Sequence, residues 1–119
     1  MKSEATGVSR LFYACKYSWQ GLVAGLKSEA ALRQEIIILA VLLPVILLVD
    51  VSAAERALLL LSIVLVVIIE LLNTAIEVVV DRIGNEYHVL SGKAKDLGSA
   101  AVLCSLFSAI AVWCFILCW

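Results

Sequence analysis

The chain has 119 residues, 64% of them hydrophobic and 16% charged, with a formal net charge of −1 and a mean hydropathy of +1.09. Soluble domains carry roughly 45–50% apolar residues, so this composition excludes an ordinary water-soluble fold and indicates one small membrane-embedded domain, residues 1–119. The net charge by itself identifies no partner, and no nucleic acid is expected as one.

The N-terminal stretch through Trp19 mixes polar and aromatic residues and lacks the apolar core of a cleavable secretory signal. From Arg10 to Lys27 the pattern is amphipathic. Leu11, Cys15, Trp19, Leu22 and Leu26 share one face, and Arg10, Lys16, Tyr17, Gln20 and Lys27 share the other. A basic polar face opposite an aromatic and leucine-rich one predicts a helix lying in the membrane surface, at about residues 10–27. Gly21 and Gly25 form a GxxxG pair that suits close helix contact.

The apolar run Ile36 to Val49 is shorter than the ~17–25 residues a span needs, which moves its start to about Ala30. Arg33, Gln34 and Glu35 then snorkel toward the interface, and Pro44 is a candidate kink. A turn from Asp50 to Glu55 leads to a second span, about residues 56–80. A polar loop, Asp81 to Asp96, leads to a third, about residues 97–119. In that last span Gly98, Ala101, Ser105 and Ser108 make a small-residue stripe suited to helix packing. Cys15, Cys104, Cys114 and Cys118 have no metal-site spacing and read as packing residues.

Lysine and arginine set the orientation. Lys2, Arg10, Lys16, Lys27 and Arg33 precede the first span, and Arg82, Lys93 and Lys95 occupy the second loop, against Arg56 alone in the first loop. The positive-inside rule places the N-terminus and the Asp81–Asp96 loop in the cytoplasm.

The second span carries the chemistry. Glu70, Asn73 and Glu77, with Ser62, Thr74 and Asp81, fall within an arc of about 120° on a helix that is otherwise Leu, Ile, Val and Ala. Ionisable groups at membrane depth cost ~2.5–3.5 kcal/mol each on insertion scales and usually mark a working site. The bland alternative stays open, because polar groups also hydrogen-bond spans together in oligomers. Glu29 and Glu35 before the first span, and Lys93, Lys95 and Asp96 before the third, converge on the same side. Carboxylates that hold Mg²⁺, lysines that neutralise phosphate and a deep carboxylate that takes a proton are the parts of a phosphoryl-transfer site. No GxxxxGK[ST], GxGxxG, HRD or DFG motif is present. On the residues alone, the site is one for a cationic or metal-bound ligand.

Three blocks go further: Glu29-Ala30-Ala31-x-Arg33-Gln34-Glu35, Glu70-Leu71-Leu72-Asn73-Thr74-Ala75-Ile76-Glu77-x-x-x-Asp81-Arg82, and Ser91-Gly92-x-Ala94-Lys95-Asp96-x-Gly98-Ser99-Ala100-Ala101. From about Gly7 to Trp119 the chain resembles the bacterial integral-membrane diacylglycerol kinases of the Gram-negative type. The resemblance implies an all-α membrane protein, with three transmembrane helices and an N-terminal amphipathic surface helix. It also implies a homotrimeric bundle with active sites shared between subunits, in the bacterial inner membrane. It implies transfer of the γ-phosphate of MgATP to diacylglycerol, giving phosphatidic acid.

By position, the resemblance makes Glu70 the base for the lipid hydroxyl, Asn73 its catalytic support, and Glu29 and Glu77 the Mg²⁺ ligands. It places Arg10, Tyr17, Glu29, Glu77, Glu86, Tyr87, His88, Lys95 and Asp96 at the nucleotide. Arg10, Ala14, Trp19, Ala31, Gln34, Glu35, Glu70, Ser99 and Trp113 fall at the lipid substrate. Tyr13 stands where the family often has a lysine, and Lys16 where a small residue is common. A polyprenol such as undecaprenol is the alternative acceptor on the same fold, and the Ala31–Glu35 segment favours diacylglycerol. A non-enzymatic ion pathway would need the polar arc to cross the membrane. Between Arg56 and Glu70 only Ser62 is polar.

Overall fold

The computed structural model describes residues 6–119, so Lys2 lies outside the described residues. Four helices follow in order: α1 (Val8–Ser28), α2 (Ala30–Leu48), α3 (Ala53–Ile83) and α4 (Val89–Leu117), with no strand among the described residues. α2, α3 and α4 are each long and apolar enough to cross a membrane.

α1 and α2 are separated by one extended residue, Glu29, with φ −116° and ψ 113°. Arg33 pins this joint: its Nη1 donates to the carbonyls of Leu26 at 2.7 Å and Lys27 at 3.1 Å. Those carbonyls end α1 and have no helical donor of their own. Half of the GxxxG pair is used. Gly25 is buried where an added Cβ would lie 2.9 Å from Leu32 Cδ2, whereas Gly21 faces open space. α2 runs through Pro44 without ending, although the missing N–H leaves the Ala40 carbonyl without its helical donor.

α3 begins at Ala53, earlier than the expected Arg56, because Ser52 and Glu55 form a reciprocal capping box. Arg56 instead folds back, donating to the Ile46 carbonyl and, at 3.2 Å, to that of Val51, and so ties the end of α2 to the start of α3. The largest departure from the sequence reading is the polar loop. Only Gly84–His88 is non-helical, and α4 starts at Val89 rather than Leu97. His88 caps it, with Nδ1 accepting from the Leu90 N–H at 3.1 Å. Lys93, Ala94 and Lys95 are strong helix formers whatever their polarity.

The main seam joins α3 to α4. On α3 the buried Leu59, Val66, Asn73 and Val80 recur at heptad spacing, with Ser62 and Glu70 between them. α4 answers with Gly98, Ser105 and Ala109. The expected stripe is therefore displaced: Ala101 and Ser108 are exposed, and Ala109 takes the buried place. Most large apolar side chains, including Ile37, Leu47, Leu61, Val79 and Phe115, remain exposed on the single protomer. All four cysteines are free and exposed, so they do not serve as packing residues within one protomer.

Candidate functional site

The last turns of α3 carry Glu70, Asn73, Glu77 and Asp81 at i, i+3 and i+4 spacing, a continuous stripe about 16 Å long at 1.5 Å per residue. It is graded in depth. Glu70 is 6% exposed and Asn73 8%, whereas Glu77 is half-buried and Asp81 exposed.

At the deep end, Glu35 of α2 meets Glu70 within hydrogen-bonding reach. In the middle, the Asn73 Nδ2 amide donates to Glu77 Oε1 at 3.2 Å. Glu29, presented by the break between α1 and α2, and Glu77 both lie within Coulombic reach of Glu70. At the shallow end, Lys95 of α4 pairs with Asp81 at 2.8 Å, and Glu77 lies close enough to act on the same ammonium. Beyond it, Asp81, Asn85, Glu86, Tyr87, His88 and Lys95 line a polar cavity of about 210 Å³.

Three buried atoms in this region, Glu35 Oε2, Asn73 Oδ1 and Thr74 Oγ1, have no hydrogen-bond partner among the described residues. Each such group costs about 1–3 kcal/mol if left unmet. No three His, Cys, Asp or Glu side chains among the described residues are grouped so as to hold a metal alone. Glu29 and Glu77, both close to Glu70, fit the way Mg²⁺ is held beside phosphate, by one or two carboxylates with substrate oxygens completing the shell.

On the apolar side, a groove of about 320 Å³ runs between α2, α3 and α4, lined by Glu35, Ile38, Leu42, Val66, Leu106 and Trp113, among others. Trp113 is fixed there: its Nε1–H donates to Ser62 Oγ at 3.0 Å, and Ser62 Oγ donates to the Leu59 carbonyl at 2.8 Å. Mid-span Ser62 thus has a partner that the sequence did not disclose.

The structure gathers Glu29, Glu35, Glu70, Asn73, Glu77 and Lys95 at one end of the bundle, with Glu86, Tyr87 and His88 around the adjoining cavity. The residues of α1 stand apart. Arg10, Ala14, Tyr17 and Trp19 are exposed, and α1 packs against α2 and α3 without touching α4, which borders that cavity. Gln34, Asp96 and Ser99 are also exposed, and Ala31 is half-buried. The sequence reading missed Asp81 as the partner of Lys95, although Asp81 continues the arc four residues beyond Glu77.

Comparison with known proteins agrees with this architecture. A family profile described as prokaryotic diacylglycerol kinase matches residues 16–117. The chain is 53% identical over 119 residues to a diacylglycerol kinase of Escherichia coli (strain K12), covering 98% of this chain and 96% of the relative. It is 46% identical over 112 residues to a diacylglycerol kinase of Pseudomonas aeruginosa, covering 94% and 91%. With one of Helicobacter pylori it shares 38% identity over 110 residues, covering 92% and 86%.

Proposed function

The chain belongs to the prokaryotic diacylglycerol kinase family, and from that premise we propose that it transfers the γ-phosphate of ATP to diacylglycerol, giving phosphatidic acid. It is a membrane-embedded lipid kinase. The observation that carries the reading is the graded stripe on α3. At one end the buried carboxylate of Glu70 neighbours Glu35, which lines an apolar groove, and a lysine-lined polar cavity lies at the other. A lipid hydroxyl and a nucleotide phosphate can meet only where those two environments join.

In this proposal the acceptor's acyl chain lies in the groove between Glu35 and Trp113, which brings its hydroxyl to Glu70. Glu70 takes the hydroxyl proton as the oxygen attacks the γ-phosphorus and the bond to the β-phosphate oxygen breaks. Lys95 neutralises phosphate charge, and Asp81 holds the ammonium in place. Glu29 and Glu77 would hold Mg²⁺, which neutralises charge on the ATP phosphates when bound. Arg10 and Tyr17 stand off from the cavity of their own protomer, which supports a homotrimer in which α1 completes a neighbour's nucleotide site. The excess of basic residues around α1 and the α3–α4 connection supports a cytoplasmic N-terminus in a bacterial inner membrane.

The test is a reconstituted assay in phospholipid with MgATP and either diacylglycerol or undecaprenol. Phosphatidic acid from diacylglycerol, with little polyprenyl phosphate, is the expected result. No lipid product from demonstrably folded protein would overturn the proposal. Placing the tail against Trp113 makes a second prediction. Trp113→Ala removes the ring that closes the groove, and is expected to shift the ratio of kcat/KM for long over short acyl chains by about tenfold. Ser62→Ala, which only unfastens the indole, should shift it less. An unchanged ratio in both variants would place the acyl chain elsewhere.

A further inference from the structure

The proposed metal ligand Glu77 is oriented by Asn73, and what orients Asn73 lies on the next helix. An ionised carboxylate only accepts hydrogen bonds, so the Asn73 amide must turn its NH₂ toward Glu77 and its Oδ1 the other way. That oxygen is directed at the backbone of α4, at Gly98, and has no hydrogen-bond partner. A Cβ built on Gly98 would collide with Asn73 Oδ1 and crowd Asn73 Cγ at 3.3 Å, with Ile76 Cδ1 in ordinary contact at 3.7 Å.

We infer that Gly98 is a positioning residue: the missing side chain is the slot that lets the Asn73 amide seat against α4 and so aim Glu77. Gly98 is buried within α4, where glycine is a poor helix former, so a packing reason for it is required. The alternative seat for Asn73 is restricted. Its residue is 8% exposed, and a rotation away from α4 would break the 3.2 Å bond to Glu77. This inference rests on the reading of Glu77 as a Mg²⁺ ligand, and adds a device that neither α3 nor α4 contains alone.

A double-mutant cycle in the folded, lipid-reconstituted protein tests it, using Gly98→Ala, Asn73→Ala and the double variant, with kcat and the Mg²⁺ half-saturation concentration as readouts. Gly98→Ala is expected to lower kcat about tenfold and to raise the Mg²⁺ half-saturation severalfold. Asn73→Ala removes the oxygen that the new methyl would strike. The double variant should therefore be no worse than Asn73→Ala alone, within about twofold. Losses that multiply, or a Gly98→Ala enzyme with the parent's Mg²⁺ dependence, would overturn the inference.

Should Gly98→Ala alone fail to fold, the double variant is expected to recover the parent's helicity and melting temperature. A double variant as unfolded as the single one would count against the slot. Inactivity of the parent toward diacylglycerol would instead strike the kinase reading, and coupling in melting temperature would still report on the Gly98–Asn73 contact.

Discussion

Replacing Glu70 by glutamine is expected to lower kcat for phosphatidic acid formation by about 10³-fold, some 4 kcal/mol of barrier, with the fold retained. Glutamine keeps the length and planarity of the side chain and can still hydrogen-bond Glu35, but it cannot take a proton. Glu70 is the buried carboxylate of the stripe, adjacent to the wall of the apolar groove through Glu35. No other acidic side chain reaches that depth on α3. The loss should therefore fall on kcat, with the KM for ATP little changed, since the polar cavity proposed for the nucleotide begins at Val80 and Asp81, beyond the next turns. Melting temperature separates the catalytic role from a purely structural one. Glu70 has Glu77 and Glu29 within Coulombic reach and Glu35 in contact, so removing its charge relieves repulsion and should not destabilise the protein. A Glu70→Gln enzyme that melts lower yet turns over at the parent's rate would make Glu70 an interhelical hydrogen-bonding group instead.

Much of this site could be read in the sequence because helical periodicity is rigid. Glu70, Asn73 and Glu77 share a face at any reasonable helix geometry, and in the structure Asn73 does bond Glu77. The existence of three spans followed equally directly from apolar run length, which the Pro44 position did not interrupt. Boundaries were a different matter. The Asp81–Asp96 stretch looks like a loop by polarity, but polarity reports exposure to water, and an exposed helical turn is just as polar as a loop. The His88 cap and the capping box of Ser52 and Glu55 fix ends that hydropathy cannot see. Relations between helices were hidden altogether. The pairs Asp81–Lys95, Ser62–Trp113 and Asn73–Gly98 depend on the rotation of α4 about its own axis. The small-residue stripe gave that rotation only roughly, since Ala109 and not Ser108 faces α3.

A second substitution, Glu77→Gln, separates activity from stability most sharply. Glutamine preserves the Oε1 acceptor that Asn73 Nδ2 holds at 3.2 Å, so the hydrogen bond within α3 survives and the change is confined to charge. If Glu77 shares a Mg²⁺ with Glu29, losing that charge should raise the Mg²⁺ half-saturation concentration by about 10–100-fold and lower kcat at fixed MgATP by a comparable factor. Stability should move the opposite way. Without metal, Glu77 lies within Coulombic reach of Glu70, which Glu29 also reaches, and the nearby cation Lys95 already pairs with Asp81. Neutralising one member should leave the metal-free protein at least as resistant to heat as the parent, and the parent should gain thermal resistance from added Mg²⁺ more than the variant does. A carboxylate that merely joined helices would give the reverse pattern, an active enzyme that melts early. Lower activity, weaker Mg²⁺ dependence of melting and an undiminished metal-free melting temperature together would identify Glu77 as a group kept for its charge.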